Sequence, residues 1–301
     1  MLSKGFNLSN INIAVVGCSG VGKTSLVSAI TYALCITNSA KYCKCEEIIP
    51  ETIDTKSGVT FAVASVDFNF GSQSYTLYDF ASTNDFLKCL ITKAIRIDGI
   101  IYVTHAEGFI SPSDKIALSF ARSAGIQKIV AFLNKTDEVD SDIVEFTEYE
   151  VDGLLSDMCF DTYSYPYVSG STKDALNYGH DIFSINTLLE KIEENIVLNE
   201  EEDEDFFGKK LQAAVYVYRY EESNNYKCLS DEAVIEFVNS GKAFECKIKI
   251  FDEMLMPGDI GKVNIELNKF HEFYKNECFI IYDKNDNSKK VACGFVATRL
   301  D

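Results

Sequence analysis

A segment near the beginning of the chain has the residue types and the spacing of a phosphate-binding loop. Residues 17 to 24 read GCSGVGKT and fit the pattern GxxxxGK[ST]. In such a loop backbone N–H groups turn inward around a phosphate, the lysine reaches the β- and γ-phosphates, and the threonine hydroxyl is available to Mg²⁺. The candidate phosphate-binding residues are Gly17, Cys18, Ser19, Gly20, Val21, Gly22, Lys23, Thr24 and Ser25, and Thr24 is also a candidate metal ligand.

A second segment has the composition of a base-selecting element. Asn134, Lys135, Thr136 and Asp137 form the sequence NKxD directly after the apolar run KIVAFL. A carboxylate at Asp137 can accept hydrogen bonds from the N1–H and N2–H groups of guanine, which adenine does not offer. On its own this tetrapeptide also fits a polar strand end. Together with the phosphate-binding loop it predicts a guanine nucleotide as ligand.

A third segment, Gly170-Ser171-Thr172, also follows a predicted strand. Ser171 and Thr172 suit backbone contacts to the edge of a base, although an ordinary turn has the same composition. The position of this segment after the other two motifs favours the base-binding interpretation. The three segments together predict GTP and GDP as ligands, with Mg²⁺ as the accompanying metal ion.

Short apolar strands precede all three segments. INIAVV, KIVAFLN and YPYVSG are rich in β-branched and aromatic residues, as are FAVASVDFNF, YTLYDF and GIIYVT. From Ile11 to about Ile196 such runs alternate with amphipathic stretches, which predicts a mostly parallel sheet covered by helices. The helical run SLVSAITYALCI follows the glycine-rich loop. A phosphate-binding loop requires a strand before it and a helix after it, whereas a simple Gly-rich turn requires neither. We therefore predict an α/β P-loop domain over residues 1–197, with helices on both faces of the sheet.

The rest of the chain has the alternating pattern of β-strands. The runs QAAVYVYRY, AFECKIKIF, IGKVNIEL, ECFIIYD and KVACGFVATRL predict an all-β barrel or sandwich over residues 209–301. The segment from Ser230 to Gly241 is the one ambiguous part of this unit, because its sequence also fits an exposed helix. Between the two units, NEEEDEDFFG contains six successive carboxylates, which repel one another. We predict a linker over residues 198–208.

The chain is acidic, with 28 Lys+Arg against 46 Asp+Glu and a net charge of −18. Residues 137 to 205 carry 2 basic and 21 acidic groups, so this stretch accounts for the whole excess. The composition argues against DNA as a partner, because binding to the phosphate backbone needs clustered Lys and Arg. The first residues are polar, no apolar run reaches about 18 residues, and the cysteines are scattered. We expect free thiols in a reducing, cytosol-like compartment and no membrane span.

With these motifs in this order, the chain resembles the translational GTPases, and most of all bacterial or organellar elongation factor Tu. Residues Ser57 to Phe61 resemble the end of the family's switch I, and the similarity is strongest from Asn84 to Asp140. It continues in the second unit, at Met254 to Asp259 and at Val291 to Leu300. It implies a P-loop GTPase domain followed by the family's C-terminal β-barrel, with GTP or GDP and Mg²⁺ bound. It also implies the ribosome, a nucleotide exchange factor and tRNA as partners, in the cytoplasm or an organellar matrix.

One part of the family's architecture is missing from the sequence. The family's middle barrel has roughly 90 to 100 residues, and the acidic linker stands in its place. In the family this barrel forms much of the pocket for the aminoacyl end of charged tRNA. The resemblance therefore does not extend to ordinary delivery of aminoacyl-tRNA.

The resemblance also assigns roles around the γ-phosphate, and the sequence departs from the family there. Lys23 and Asp79 are kept as candidate catalytic residues, and Thr60 is kept as the switch I metal ligand. The family's Asp-x-Pro-Gly-His, however, reads Asp-Phe-Ala-Ser-Thr in residues 79 to 83. Its water-orienting histidine is thus Thr83, and a hydroxyl cannot replace an imidazole as a water-positioning group near neutral pH.

These departures predict a protein that binds GTP and GDP with Mg²⁺ but hydrolyses GTP slowly or not at all. Loss of a water-positioning group costs about 10² to 10⁴ in rate. The alternative is a non-hydrolysing regulator or decoy that binds the partners of elongation factors without delivering aminoacyl-tRNA. A decaying gene copy is a third interpretation, which the intact apolar pattern of the second unit disfavours.

Overall fold

The chain forms an α/β unit followed by a β-barrel in the computed structural model. The structure describes residues 10–37, 39–108, 110–160, 167–178, 180–197, 205–218, 229–238, 240–250, 255–275 and 277–300 of the 301 residues. The predicted fold class, a mostly parallel sheet with helices and then an all-β unit, is confirmed. The barrel is the correct one of the two all-β alternatives.

A seven-stranded sheet forms the centre of the α/β unit. Its strands are β1 (Asn10–Val16), β2 (Glu51–Asp54), β3 (Thr60–Phe70), β4 (Gln73–Phe80), β5 (Gly99–His105), β6 (Lys128–Asn134) and β7 (Tyr167–Ser169), in the order β2-β3-β4-β1-β5-β6-β7. The five strands from β4 to β7 in this order are parallel, whereas β2 and β3 pair antiparallel at one edge. The helices are α1 (Lys23–Ile36), α2 (Thr83–Thr92), α3 (Pro112–Ser123), α4 (Ser141–Asp157), α5 (Thr172–Tyr178) and α6 (Ile182–Asn195).

Helices cover both faces of this sheet because successive side chains of a strand point to opposite sides. In β1, Ala14 and Val16 belong to the apolar core under α2, α3 and α4. Ile13 and Val15 belong to the core under α1, α5 and α6. Of the helices in the described part of the chain, none has the length and apolar character needed to cross a membrane.

The second unit is a closed antiparallel barrel of six strands in the described residues. They are β8 (Asp205–Val217), β9 (Glu232–Phe237), β10 (Ala243–Ile250), β11 (Ile260–Tyr274), β12 (Cys278–Asp283) and β13 (Asp286–Arg299), in the order β10-β11-β8-β13-β12-β9. Leu211, Ala213 and Val215 of β8 point into the barrel core, and Ala214 and Tyr216 point away from it. Closure leaves none of these six described strands with an unpaired edge, which suits an antiparallel sheet of this size.

The ambiguous segment from Ser230 to Gly241 contains a strand, and the interpretation as an exposed helix is wrong. Residues 232–237 form β9, and Ala233, Ile235 and Phe237 are buried in the barrel interior at a spacing of two. The same residues also fit part of a helical face, and pairing with β10 and β12 decides in favour of the strand.

Two other differences concern the beginning of β8 and the whole of β2. β8 begins at Asp205, inside the segment predicted as linker, because its backbone pairs with β11 from Tyr274 onward. Residues 198–204 of that linker lie outside the described residues. Strand β2 was not predicted, since Ile53 is the only apolar residue in its sequence ETID.

The barrel packs against the side of the sheet that α2 and α3 cover. Ala214 and Phe295 on the outside of the barrel share one apolar cluster with Phe86 and Leu90 of α2. The two units are therefore joined by a common core rather than by the connecting segment alone.

Three lysines of the described residues border this interface with their ammonium groups over aromatic rings, and one of them, Lys88, has its Nζ 5.6 Å from the ring centroid of Tyr216. Lys93 Nζ lies 5.0 Å from the ring centroid of Phe295, and Lys262 Nζ lies 5.9 Å from that of Phe120. Such cation–π contacts add to apolar packing where the ammonium is partly desolvated. Burial lowers the pKa of Lys262 accordingly.

Candidate functional site

The glycine-rich loop connects β1 to α1, and two of its glycines are required by the space around them. A Cβ atom on Gly17 would lie 2.1 Å from the carbonyl oxygen of Val103, and one on Gly22 would lie 2.3 Å from Asn134 Nδ2. Both glycines also have positive φ, 155° and 96°. The loop can therefore take this close path against β5 and β6 only with glycine at these positions.

The N-terminus of α1 opens onto this loop. Gly22 is the N-cap, no side chain of the described residues caps the first turn, and the first turn contains no acidic residue. Lys23 Nζ donates to the carbonyl oxygens of Gly17 at 2.9 Å and Cys18 at 3.1 Å, which holds the ammonium across the loop. Uncapped N–H groups and a positive charge at one point form a site for an anionic group such as a phosphate.

The remaining predicted residues of the loop differ in exposure. Ser19 and Gly20 are exposed at its tip, Cys18 and Ser25 are half-buried, and Val21 is buried. Burial raises the pKa of the Cys18 thiol, and the charge of Asp114 adds to this shift. Cys18 is therefore a neutral thiol at neutral pH.

Thr24 and Asp79 form a pair of oxygen ligands beside the loop. The hydroxyl of Thr24 donates to Asp79 Oδ2 at 2.5 Å. Asp79 lies beside Thr24 because β4 pairs with β1 in parallel. Asp79 is only 6% exposed. Burial raises its pKa, while the bond from Thr24 and the charge of Lys23 oppose the shift.

A hydroxyl and a buried carboxylate are the hard oxygen ligands that Mg²⁺ prefers. Asp79 forms no ion pair with another described residue, so a cation bound there would compensate a charge that is otherwise costly to bury. The residues present therefore fit Mg²⁺. Thr60, the third predicted participant, lies at the first position of β3 with an exposed side chain, and within the described chain no hydrogen bond joins it to Thr24 or Asp79.

Asn134 brings the three sequence motifs together. Asn134 is 1% exposed. Its Nδ2 donates to the carbonyl oxygen of Val21 at 2.7 Å, and its Oδ1 accepts from the N–H of Thr172 at 3.0 Å. One buried amide thus fixes the glycine-rich loop and the 170–172 loop relative to the end of β6. These three loops form one continuous site at the carboxyl ends of β1, β6 and β7.

Asp137 lies next to this junction with both carboxylate oxygens hydrogen-bonded. Ser171 Oγ donates to Oδ1 at 2.7 Å, and Lys173 Nζ donates to Oδ2 at 2.7 Å. The hydrogen bond from Lys173 is the main cause that lowers the pKa of Asp137. The carboxylate is therefore ionised at neutral pH and accepts hydrogen bonds only. Lys135, whose φ of 67° turns the chain here, is half-buried.

Sequence reasoning missed two residues of this site. Lys173 is one of them, and Asp181 is the other, since Asp181 Oδ2 accepts from the N–H of Ser171 at 2.6 Å. The sequence places Lys173 directly after the third motif, but no local pattern shows that its side chain turns toward Asp137. Asp181 lies ten residues beyond Ser171 and carries no motif.

The segment beside the predicted γ-phosphate position is the cap of a helix. Ser82 is the N-cap of α2, where its Oγ accepts from the N–H of Asp85 at 3.1 Å and donates to Asp85 Oδ2 at 2.6 Å. Thr83 is the first residue of that helix and is half-buried. Its side chain offers a hydroxyl and no group that titrates near neutral pH.

The part of the chain that contains the site matches a known protein family. The family model described as the elongation factor Tu GTP binding domain matches residues 8–197, which is more than half of the 301 residues. The matched range contains the glycine-rich loop, the pair Thr24 and Asp79, the cap of α2 and both loops that Asn134 connects.

Proposed function

Because the chain belongs to the family of elongation factor Tu GTP-binding domains, we propose that this GTP-binding, translation-factor-like protein takes GTP and GDP together with Mg²⁺ and hydrolyses GTP slowly or not at all. The main support for nucleotide binding is the buried Asn134 amide, which hydrogen-bonds to both the phosphate loop and the base loop. Lys23 faces the phosphates in this proposal, and Asp137 accepts from guanine N1–H and N2–H.

Thr24 and Asp79 are the proposed holders of Mg²⁺, with Thr60 joining them from switch I. Mg²⁺ held by these residues would supply positive charge beside the phosphates, and charge stabilisation is a large part of what phosphoryl transfer requires from a site. Thr24 donates to Asp79, so the hydroxyl oxygen and the carboxylate lie side by side.

Weak hydrolysis follows from the side chains at the start of α2. The hydroxyl of Ser82 is engaged with Asp85, and Thr83 has no imidazole with which to orient an attacking water. Absence of a water-positioning group lowers the rate by about 10² to 10⁴. In this proposal the chain keeps the residues that bind the nucleotide and lacks the residue that orients the attacking water.

The experiment has two stages with the full chain. Labelled GDP and GTP are titrated with and without Mg²⁺, with Lys23→Ala as the variant that lacks the phosphate-binding ammonium. Single-turnover hydrolysis is then followed. We expect binding that Mg²⁺ strengthens, loss of binding in K23A, and turnover close to the spontaneous rate. A rate like that of the intact family factor would overturn the second half of the proposal.

A second candidate function is a regulator or decoy that binds elongation-factor partners without turnover. It is favoured by the nine residues that separate the end of α6 at Asn195 from the start of β8 at Asp205, too few for a further barrel. Ribosomes, a nucleotide exchange factor and tRNA are the proposed partners, in the cytoplasm or an organellar matrix. Adding ribosomes and charged tRNA to the hydrolysis assay separates the two functions: stimulated turnover supports a GTPase, and stable association without turnover supports the regulator.

A further inference from the structure

Lys173 and Asp137 form an ion pair inside the proposed base-binding site. Lys173 Nζ lies 2.7 Å from Asp137 Oδ2, and the two side chains are 63% and 13% exposed. Ser171 occupies the other carboxylate oxygen at 2.7 Å. Both oxygens of the carboxylate that would select guanine thus already accept a hydrogen bond from the 171–173 segment.

The two donors differ in how readily they can leave. Ser171 is 2% exposed, and its Oγ also accepts from the N–H of Asp174 at 3.1 Å, so its hydroxyl is held in place. The Lys173 ammonium is mostly in water and is also attracted by Asp174 and Glu138. When it leaves Asp137 it is resolvated at little cost.

A guanine base needs the same acceptor atoms. Its N1–H and N2–H groups point side by side and are read by the two oxygens of one carboxylate. A charge-assisted bond from an ammonium is stronger than one from a neutral N–H donor. The base must therefore share Oδ2 with Lys173 or displace it.

We propose that Lys173 is an internal competitor of guanine for Asp137, a specificity-site residue that lowers the affinity for guanine nucleotides. This inference rests on the proposed role of Asp137 in binding guanine. An exposed ion pair of this kind shifts an equilibrium by up to about fivefold. Since the Lys173 side chain is solvated, salt screens the competition and reduces its effect.

The test is a titration of labelled GDP into the full chain and four variants at low and at high salt. Lys173→Ala removes the ammonium, Lys173→Met removes it but keeps an aliphatic stem, and Lys173→Arg keeps the charge. Lys191→Ala on α6 is the control that changes the net charge equally, outside the base loop. Affinities are compared with the wild type at the same salt, because salt also weakens the attraction between Lys23 and phosphate.

We expect K173A and K173M to bind GDP up to about fivefold more tightly than the wild type at low salt. This advantage should shrink at high salt, while K173R and K191A should follow the wild type. Equal or weaker binding by both K173A and K173M would overturn the inference, as would a gain that high salt leaves unchanged. If the folded wild type and every variant fail to bind GDP and GTP, the proposed function itself fails and the inference falls with it.

Discussion

The hydroxyl of Tyr218 in the barrel donates a 2.7 Å hydrogen bond to the carbonyl oxygen of Ser57 in the α/β unit. Lys290 Nζ approaches the same carbonyl at 3.5 Å. Ser57 precedes the buried Val59 and the candidate metal ligand Thr60 by two and three residues. The barrel thus touches the segment that leads into the nucleotide site, in addition to its apolar contact with α2.

Replacement of Tyr218 by Phe should weaken the contact between the two units. A hydrogen bond of this kind contributes about 0.5 to 1.5 kcal/mol, and Phe keeps the ring. We expect the free energy of unfolding in urea, followed by circular dichroism, to fall by that amount. Tyr149→Phe on α4, where Tyr149 is 70% exposed, is the matched control and should be neutral. An unfolding curve for Y218F identical to that of the wild type would show that the bond contributes nothing.

Replacement of Asn134 by Ala should affect both stability and nucleotide binding. The variant leaves the Val21 carbonyl and the Thr172 N–H without their partner in a buried place, which costs about 1 to 3 kcal/mol. It also frees the phosphate loop from the base loop, so GDP affinity should drop more than stability alone explains. The measurements are urea unfolding and GDP titration, with the exposed Asn177→Ala on α5 as control. Unchanged GDP affinity in a folded N134A would contradict the bridging role.

The α/β fold and the phosphate loop could be predicted because their signals are local. A glycine-rich segment between an apolar strand and a helix needs no knowledge of distant residues, and its lysine and threonine occur at fixed offsets. The pairing of Thr24 with Asp79, 55 residues apart, is different in kind. It depends on β4 lying beside β1, which the sequence of either strand does not determine.

The features that could not be predicted arise from tertiary contacts of polar side chains. Lys173 is ordinary in sequence and becomes part of the site only because α5 begins beside Asp137. The error at β9 has the same origin. Its residues fit a helix in isolation, and the barrel supplies the strands that pair with them.

The stability of the barrel should depend on pH through His271. This residue is 6% exposed, its ring centroid lies 4.6 Å from that of Phe244 and 5.1 Å from that of Phe237, and its Nε2 has no hydrogen-bond partner among the described residues. Burial lowers the pKa of His271 from its usual value of 6.5, and the positive charge of Lys242 lowers it further. A lowered pKa in the folded state means that neutral His271 stabilises the fold above about pH 6.5, and that this stability is lost as the pH falls through the folded-state value.

Unfolding in urea at neutral and at mildly acidic pH measures this effect. The wild type should lose stability on acidification by about 1.4 kcal/mol for each unit by which the pKa is lowered. His271→Phe, which places an apolar ring among the existing ones, should lose less over the same range. Parallel losses in the wild type and H271F would assign the pH dependence to other groups.

Replacement of Thr83 by His should raise the rate of GTP hydrolysis. Thr83 opens α2 beside the proposed γ-phosphate position, and an imidazole there can orient water once it is neutral. We expect T83H to recover part of the factor of about 10² to 10⁴ attributed to such a group, with a rate that rises as the pH passes about 6.5. Thr83→Ala is the control and should hydrolyse GTP like the wild type, because the hydroxyl does not position water. Single-turnover assays with GDP affinity measured in parallel separate the chemical step from binding. A loss of turnover in T83A, or no gain in a T83H variant that binds GTP normally, would mean that residue 83 does not account for the slow hydrolysis that we propose.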